Sequence, residues 1–310
     1  VPQLGHHQRR QMQPRNRHHA HDPCRIARLG GGRCSQRIGK TKISVKSMNL
    51  TDTHCHLADP ALRENLTHIL TAAREAGVGR FIVPATRLQD WQDVADLVQR
   101  SSENPLWDNI HIALGIHPWF SDDVSEPDFQ HLEQALQARP TAWVGEIGLD
   151  FYDKTQTPPQ RERQIQVFSR QLEIAQTLRR RVIIHNLKAT ADIAAAVKQT
   201  GFAQGGIVHA FSGSAEEARV LTKLGFKIGI GSLLLNPNAR KIRETLKTLN
   251  DTDFVLETDS PFMLKNEINT PANIRQIAAI AAEIRGVAVE EIAEATERNV
   301  EMLLAAEKVV

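Results

Sequence analysis

Residues 206–231 read GIVHAFSGSAEEARVLTKLGFKIGIG, and this stretch contains one complete repeat of the pattern that decides the fold. Its opening run, GIVHAFSG, is short, apolar and partly β-branched, which is typical of a buried strand. Ser214 and Glu217 then form a capping box, and Gly225 supplies a stop, so the middle part predicts a helix. A second apolar run, FKIGIG, follows at once. The stretch therefore predicts a strand, a helix and another strand in succession.

The same alternation continues through most of the chain. Eight runs are predicted as strands, namely NLTDTHCH (49–56), RFIVPAT (80–86), IHIALGIHP (110–118), AWVGEIGLD (142–150), RVIIHN (181–186), GIVHAFSG (206–213), FKIGIG (226–231) and FVLETDS (254–260). Helical patterns occupy 61–77, 161–179, 214–225 and 271–286. Eight such units, with no G-x-G-x-x-G after the first strand, predict an α/β fold, a (β/α)8 TIM barrel. The final stretch, 289–308, predicts an additional C-terminal helix packed on the outside.

Composition limits the class of protein. The chain has 310 residues, of which 41% are hydrophobic and 24% charged, as in a soluble globular protein. No apolar run approaches the roughly 18 residues that a membrane span requires, so we expect no membrane contact. Cys24, Cys34 and Cys55 offer no disulfide framework, and we expect a reducing, cytoplasmic location. A monomer is the default expectation.

Charge divides the chain into two parts. Residues 1–47 carry eleven Lys or Arg against one acid, whereas residues 48–310 carry 27 basic and 35 acidic residues. The basic part has a GGG run and no hydrophobic periodicity, so we expect a disordered N-terminal extension. It could be an arm for nucleic acid, an Arg-rich targeting peptide, or upstream sequence wrongly joined to a chain that begins at Met48. We favour the last account and take residues 48–310 as the folded domain.

Ionisable residues interrupt the apolar runs near their C-terminal ends. Strands buried on both faces should be almost continuously apolar, so each such residue needs a reason. They are His54 and His56 in the first run, Glu146 in the fourth, His185 in the fifth, His209 in the sixth and Asp259 in the eighth. In an extended segment His54 and His56 share one face while Cys55 points away, so Cys55 is not a candidate nucleophile. Because the strands of such a barrel end at one mouth, we expect these polar side chains to converge there.

Four imidazoles and two carboxylates on one rim favour a metal site. Any one of them alone could be a hydrogen-bonded core residue, but together they would be costly without a compensating cation. The mixture suits zinc, manganese or iron as well as magnesium, and six ligands exceed one tetrahedral site. Two ions that share a carboxylate is the simplest interpretation, and such sites activate water for hydrolysis. The sequence has neither a G-x-S-x-G elbow nor a G-x-x-x-x-G-K-[ST] loop.

At this point the residues resemble a known family, the TatD family of metal-dependent hydrolases and deoxyribonucleases within the amidohydrolase superfamily. The resemblance runs from Met48 to about residue 306. Its motifs are DTHCHLADP (52–60), ALGIHPWF (113–120), VGEIGLDFY (144–152), VIIHN (182–186), VHAFSGS (208–214) and LETDSPFM (256–263). The short first motif, with the wording of the fourth and fifth, most resembles the YjjV-type branch of bacterial TatD-like hydrolases.

The resemblance implies a barrel that binds two divalent metal ions, either Mg, Mn or Zn. The implied ligands are His54, His56 and Asp259 for one ion, His185 and His209 for the second, and Glu146 as the bridge. Asp259 would also be the general base that takes a proton from the attacking water. His117, in GIHP, would contact the substrate.

The chain departs from the family pattern after the fifth strand. The family commonly has a Ser-Arg pair there, and the arginine suits a phosphate, whereas this chain has Asn186 and Leu187 followed by Lys188. Lys188 could bind the substrate as a point charge, without the bidentate geometry of arginine. Near the C-terminus, Asn299 is expected to be structural.

Three substrate hypotheses stay open at this stage. The first is a phosphodiesterase that trims single-stranded nucleic acid or its ends. Aromatic residues on the predicted rim could stack unpaired bases, namely Trp119, Phe120, Phe151, Tyr152, Phe211 and Phe262. The second is a carboxylic ester or amide hydrolase, such as a D-aminoacyl-tRNA deacylase, which the loss of the arginine favours. The third is a non-enzymatic nucleic-acid-binding protein that binds through its basic extension.

Overall fold

The computed structural model describes residues 48–101 and 104–305, and these residues form a barrel of parallel strands wrapped by helices. The strands are β1 (Leu50–Asp52), β2 (Val78–Pro84), β3 (Ile110–Leu114), β4 (Trp143–Asp150), β5 (Val182–Leu187), β6 (Gly206–His209), β7 (Phe226–Ile230) and β8 (Phe254–Leu256). The helices are α1 (Pro60–Arg63), α2 (Leu66–Glu75), α3 (Trp91–Ser101), α4 (Glu126–Gln137), α5 (Pro158–Thr177), α6 (Thr190–Gln199), α7 (Ala215–Lys223), α8 (Arg240–Thr248), α9 (Ile274–Arg285) and α10 (Val289–Ala305). Each strand pairs in parallel with the next in sequence, which confirms the predicted (β/α)8 fold.

The barrel closes between the segments that follow β1 and β8. The backbone N–H of Thr53 donates to the carbonyl of Leu256 at 3.0 Å, and the N–H of His56 donates to that of Ser260 at 2.7 Å. In the other direction, the N–H of Asp259 donates to the carbonyl of His54 at 2.8 Å. These segments, 53–56 and 256–260, form a seam just beyond the last regular residues of the two strands.

Two layers of apolar side chains make up the core. The larger layer lies between the strands and the surrounding helices, and a smaller one fills the inside of the barrel. The inner layer consists of Ile82, Ala113, Trp143, Ile183, Ile207 and Val255, and it is covered by Val300, Leu303 and Leu304 of α10. Helix α10 therefore covers the open end of the inner layer and does not simply pack on the outside as predicted. It lies there because the apolar side chains of the inner layer would otherwise be exposed to water at the N-terminal ends of the strands.

Several predicted strands are shorter in the structure. The first was predicted as 49–56 but ends at Asp52, the sixth ends at His209, and the eighth ends at Leu256. Their polar ends leave the regular ladder and form the rim of the barrel. The sequence runs did not reveal these boundaries, because the residues beyond them are still buried and apolar in part.

The helices agree with the sequence patterns except in one place. The capping box of α7 is present, since the N–H of Ser214 donates to Glu217 Oε2 at 2.7 Å. The pattern at 61–77, in contrast, is split into α1 and α2, with an Asp59 side chain capping the first of them. The predicted extension 1–47 lies outside the described residues, so its disorder and the boundary at residue 48 stay predictions. In the described part of the chain no helix combines the length and apolar character that crossing a membrane requires.

Candidate metal centre

The structure brings all six predicted ligands together at the C-terminal end of the barrel. His54 and His56 follow β1, Glu146 lies in β4, His185 in β5, His209 ends β6 and Asp259 follows β8. The strands of a parallel barrel all end at this mouth, so six residues far apart in sequence share one site. The sequence expectation that Cys55 points away agrees with its position, because its side chain is fully buried and its Sγ faces the carbonyl of Ile82.

Glu146 lies at the centre of the cluster, and its two carboxylate oxygens face different groups of histidines. Oε1 is 2.7 Å from His209 Nε2 and 3.0 Å from His185 Nδ1. Oε2 is 3.3 Å from His54 Nε2 and 3.7 Å from His56 Nε2. A carboxylate arranged in this way can bridge two cations, one on each oxygen.

The first group of donors consists of His54, His56 and Asp259. The two imidazole Nε2 atoms are 3.2 Å apart, and Asp259 Oδ1 lies 3.6 Å from the first and 3.4 Å from the second. These three residues have the spacing of a group that could hold a metal ion. Nitrogen and oxygen donors so close together have room for a cation between them, and mixed imidazole and carboxylate donors suit zinc or manganese.

Burial and neighbouring charges keep the two carboxylates ionised. Burial acts to raise the pKa of Glu146, but the charges of His209, His117 and His54 outweigh it and hold this pKa well below the usual range. Burial likewise acts to raise the pKa of Asp259, but a hydrogen bond from His56 and the nearby histidine charges lower it. Both side chains therefore present negative oxygens at neutral pH, which is the form that binds metal.

His54 and His185, which lie on opposite sides of Glu146, differ in protonation. Burial, followed by the charge of His209, lowers the pKa of His54 to about 4, so its imidazole is neutral and can ligate. Burial also acts to lower the pKa of His185, but contacts with Asp150 and Glu146 raise it to about 9. Two carboxylates thus draw positive charge to His185, where the family resemblance implies the second cation.

The two predicted substrate contacts, His117 and Lys188, lie in different environments. His117 is buried and belongs to the cluster itself, with Nε2 at 3.4 Å from Glu146 Oε1 and Nδ1 accepting from the N–H of Trp119. Lys188 is exposed in the turn after β5, with a positive φ of 59°, and within the described residues it makes no hydrogen bond or ion pair to the cluster. Asn299 donates to the carbonyls of Asp251 and Phe254 at 2.7 Å, which is a structural role as expected.

Sequence reasoning missed Asp150, which lies beside the cluster. Its Oδ2 accepts from Trp119 Nε1 at 2.7 Å and lies 3.3 Å from His185 Nε2. Burial acts to raise the pKa of Asp150, but hydrogen bonds from His185, Tyr152 and Trp119 lower it to about 2. Carboxylates in this position commonly orient a metal-binding histidine. Strand alternation could have found it, because Asp150 and Glu146 are an even number of residues apart in β4.

Glu257 is a second buried carboxyl that the sequence analysis did not single out. It is fully buried, accepts from the N–H of Ala210, and lies close enough to His54 and His209 to form a further candidate cation group. Burial raises its pKa well above the usual range, so it is neutral at physiological pH. It too shares parity with a predicted ligand in the predicted eighth strand, since it precedes Asp259 by two residues.

Asp52 connects the two segments of the seam that carry predicted ligands. Its Oδ1 accepts from the N–H of Thr258 at 2.9 Å, and its Oδ2 accepts from the Thr258 hydroxyl at 2.6 Å. Burial raises the pKa of Asp52 to about 7, against the effect of these hydrogen bonds. Asp52 therefore fixes the segment of Asp259 relative to that of His54.

Comparison with known proteins identifies the family. The profile of a family described as TatD related DNase matches residues 51–305. The chain belongs to the TatD family. It is 34% identical over 254 residues to the Escherichia coli K12 protein named uncharacterized metal-dependent hydrolase YjjV, covering 80% of this chain and 95% of that one. The TatD resemblance inferred from the motifs is thus confirmed, and the chain is an enzyme, a metal-dependent hydrolase.

Other members of the TatD family agree with this assignment. The crystal structure of E. coli K12 YjjV superposes with a TM-score of 0.74 at 32% identity, covering 83% of this chain and 98% of that one. The human protein named deoxyribonuclease TATDN3 is 29% identical over 268 residues, covering 81% of this chain and 93% of its own length. The matches therefore span nearly the whole length of these relatives.

Proposed function

We propose that the protein is a phosphodiesterase that uses two divalent ions to hydrolyse nucleic acid. The observation that carries this proposal is the arrangement of Glu146, whose two oxygens face separate groups of donors. Two-metal sites place their ions about 3.5–4 Å apart and stabilise both oxygens of a displacement at phosphorus. All the donors come from one chain, so a monomer, with residues 48–310 as its catalytic domain, suffices for the chemistry.

The ligands divide between the two proposed ions as follows. One ion would be held by His54, His56 and Asp259, the other by His185 and His209, and Glu146 would bridge them. Bound ions would polarise the phosphoryl group and lower the pKa of the attacking water. Four imidazoles favour zinc or manganese over magnesium among the three candidates. In an alternative arrangement, His117 would bind the second ion together with Glu146 and His185 instead of contacting the substrate. Its Nε2 lies 3.4 Å from Glu146 Oε1.

Asp259 is the proposed general base. It is the more accessible of the two ligand carboxylates, with 13% of its side chain exposed against 3% for Glu146. Its lowered pKa keeps it ionised at neutral pH, so the carboxylate can take the proton of a water that approaches from the open mouth. Glu146 is enclosed by histidines and is better suited to holding cations than to exchanging protons.

Nucleic acid is the proposed substrate because the family and one of the relatives carry the names of nucleases. The family is described as TatD related DNase, and the human relative is named a deoxyribonuclease. Cleavage from an end, as an exonuclease, is the form of the reaction that we propose. Recognition must be local, since residues 48–310 carry 27 basic and 35 acidic residues and their net negative charge does not attract nucleic acid.

A second candidate is a carboxylic ester or amide hydrolase, such as a D-aminoacyl-tRNA deacylase. One observation favours it: Lys188, the residue that stands in for the family arginine, lies outside the cluster. A carbonyl substrate needs less positive charge around it than a phosphodiester does. The same metals and the same Asp259 would serve this reaction.

The test is release of mononucleotides from end-labelled single-stranded DNA by the full chain with Mg, Mn or Zn. The Asp259→Asn variant is the control, because it retains the size of the side chain but loses the charge that accepts a proton. We expect release that requires metal and falls by about 10³-fold or more in the variant. Metal-loaded protein that releases no nucleotide but hydrolyses aryl esters or aminoacyl esters would overturn the nuclease and establish the second candidate.

A further inference from the structure

Exposed aromatic rings are concentrated at the mouth of the barrel. Among the described residues the large exposed hydrophobic side chains include three aromatic ones, namely Trp119, Tyr152 and Phe262, which are 71%, 69% and 49% exposed. They lie on the loops that follow β3, β4 and β8, at the same end as the metal centre. The other rim aromatics are less exposed: Phe211 and Phe151 are buried, and Phe120 is half-buried with Arg87 over its ring. Aromatic surface is thus exposed where substrate enters.

Trp119 is exposed and yet firmly held. Its indole Nε1 donates to Asp150 Oδ2 at 2.7 Å, and its ring stands edge-on to His117, with centroids 4.8 Å apart and planes at 76°. The same Asp150 oxygen is 3.3 Å from His185 Nε2. The indole is therefore fixed by its edge while most of its surface faces solvent. A ring that is already ordered loses little entropy when a second ring stacks on it.

Phe262 has the matching position on the other side of the cluster. Its ring lies edge-on to His56, with centroids 5.5 Å apart and planes at 65°, and its N–H donates to the carbonyl of Asp259 at 2.8 Å. A cavity of about 730 Å³ opens beside it, lined by the neighbouring Met263 and by Asn236, Lys265 and other residues of the loops after β7 and β8.

Glu146 separates the two rings. Trp119 flanks the donors on the Oε1 side, His117 and His185, whereas Phe262 flanks His56 on the Oε2 side. A phosphodiester placed over Glu146 would therefore have one exposed ring on each side of the bond that breaks. A small ester would use only one of them.

We infer that Trp119 and Phe262 are stacking platforms for the two bases that flank the scissile phosphodiester, so that the substrate is unpaired nucleic acid. This inference rests on the proposed nuclease function and specifies its substrate. Every base has a flat face, which allows stacking without sequence preference, and bases inside a duplex have no free face to offer. The amide and lysine side chains of the adjoining cavity suit the nucleotide beyond Phe262. Stacking also supplies affinity that an acidic domain cannot obtain from charge.

The test uses the full chain with Mn and three single-stranded oligonucleotides. One is intact, one has an abasic site on the 5′ side of the labelled bond, and one has it on the 3′ side. For the wild type, each missing base is expected to raise KM about ten-fold. Trp119→Ala and Phe262→Ala should each raise KM for the intact strand by a similar factor. In each variant, one of the two abasic sites should no longer raise KM, whereas the other should still raise it.

Three further variants refine the comparison. Trp119→Phe keeps a ring but loses the bond to Asp150, so its KM should lie between those of the wild type and Trp119→Ala. Tyr152→Ala is expected to change KM less than two-fold, because in the described part of the chain the Tyr152 ring does not pack against a histidine. Met302→Ala removes an exposed side chain of α10 far from the mouth and controls for general effects.

A binding measurement separates this inference from the proposed function. Intact single-stranded DNA should quench the fluorescence of metal-free wild type, and Trp119→Phe should lose most of that quenching. If the wild type cleaves no DNA, the proposed function fails, whereas quenching through Trp119 would preserve the stacking site. If the wild type cleaves DNA but both alanine variants keep both abasic penalties, the stacking inference is overturned while the nuclease stands.

Discussion

His54 and His209 stack face to face, with ring centroids 3.8 Å apart and planes within 6° of parallel. The contact joins the segment after β1 to the end of β6, on different sides of the barrel. Both rings turn Nε2 toward Glu146, at 3.3 Å and 2.7 Å, while neither Nδ1 has a hydrogen-bond partner in the described part of the chain. The stack thus aims two imidazole nitrogens at one carboxylate, and the stability of this arrangement should depend on bound cations.

The first prediction concerns stabilisation by metal. Mn or Zn at about 100 times its dissociation constant should stabilise the chelator-treated protein by about 2.7 kcal/mol, and Tm should rise by several degrees. Glu146→Gln should lose most of this rise, because an amide cannot bridge two cations. Glu244→Gln, at a side chain 70% exposed, is the matched control. Calorimetry with and without metal checks the prediction, and an undiminished rise in Glu146→Gln would contradict the bridging role.

Asp150→Asn should weaken metal binding without unfolding the protein. The variant removes the negative charge next to His185 Nε2, and the loss of such an orienting carboxylate typically costs about 10–100-fold in affinity or activity. Titration calorimetry with Zn measures the affinity directly. Asp153→Asn, at an exposed residue of the loop that follows β4, serves as the comparison. Equal affinities for the two variants would mean that Asp150 only positions Trp119.

His111 should make the fold sensitive to mild acid. Burial, followed by the positive charge of Arg80, lowers the pKa of His111 from 6.5 to about 4. The unfolded chain therefore takes up a proton near pH 6.5 and the folded chain only near pH 4. Stability is complete above pH 6.5 and is lost as the pH falls toward 4, by at most about 3 kcal/mol.

The variant His111→Gln checks this expectation by urea unfolding at pH 7 and pH 4.5. Between these two pH values, its free energy of unfolding should fall less than that of the wild type. His131→Gln, at an exposed histidine of α4, should leave the loss unchanged. The same slope in all three proteins would show that His111 does not control the acid response.

Because α10 covers the inner layer of the barrel, substitutions at two neighbouring residues of this helix should have very different effects on stability. Leu303 is 2% exposed and packs on the inner layer of the barrel, whereas Met302 is 50% exposed. Leu303→Ala should lower the free energy of unfolding by about 2–5 kcal/mol, and Met302→Ala should change it by less than about 0.5 kcal/mol. Chemical denaturation measures both values, and a small effect of Leu303→Ala would mean that α10 is dispensable for the barrel.

The sequence predicts the site better than it predicts the limits of the elements. Charged residues such as Glu146 are expensive inside a buried strand, so their positions in otherwise apolar runs stand out. The end of β1 at Asp52 does not stand out in the same way, because the residues beyond it stay buried and join the seam. Which surface α10 covers is also hidden, since an apolar face does not specify its partner.

Asp150 and Glu257 show what a fuller use of the sequence would have found. Each lies an even number of residues from a predicted ligand in the same predicted strand, and alternation would therefore direct it to the same side. Their protonation could not have been predicted. Asp150 is ionised because three donors surround it, whereas Glu257 is neutral because burial dominates, and only the tertiary structure reveals these surroundings.

The seam between segments 53–56 and 256–260 also sets the order of events during synthesis of the chain. The backbone bonds that close the barrel are made by the residues next to His54, His56 and Asp259. A nascent chain holds His54 and His56 from an early stage but cannot bring them against Asp259 until residue 260 has left the ribosome exit tunnel. Closing the barrel and assembling these three side chains are therefore a single step, and a metal ion held by them would mark a polypeptide whose barrel is complete.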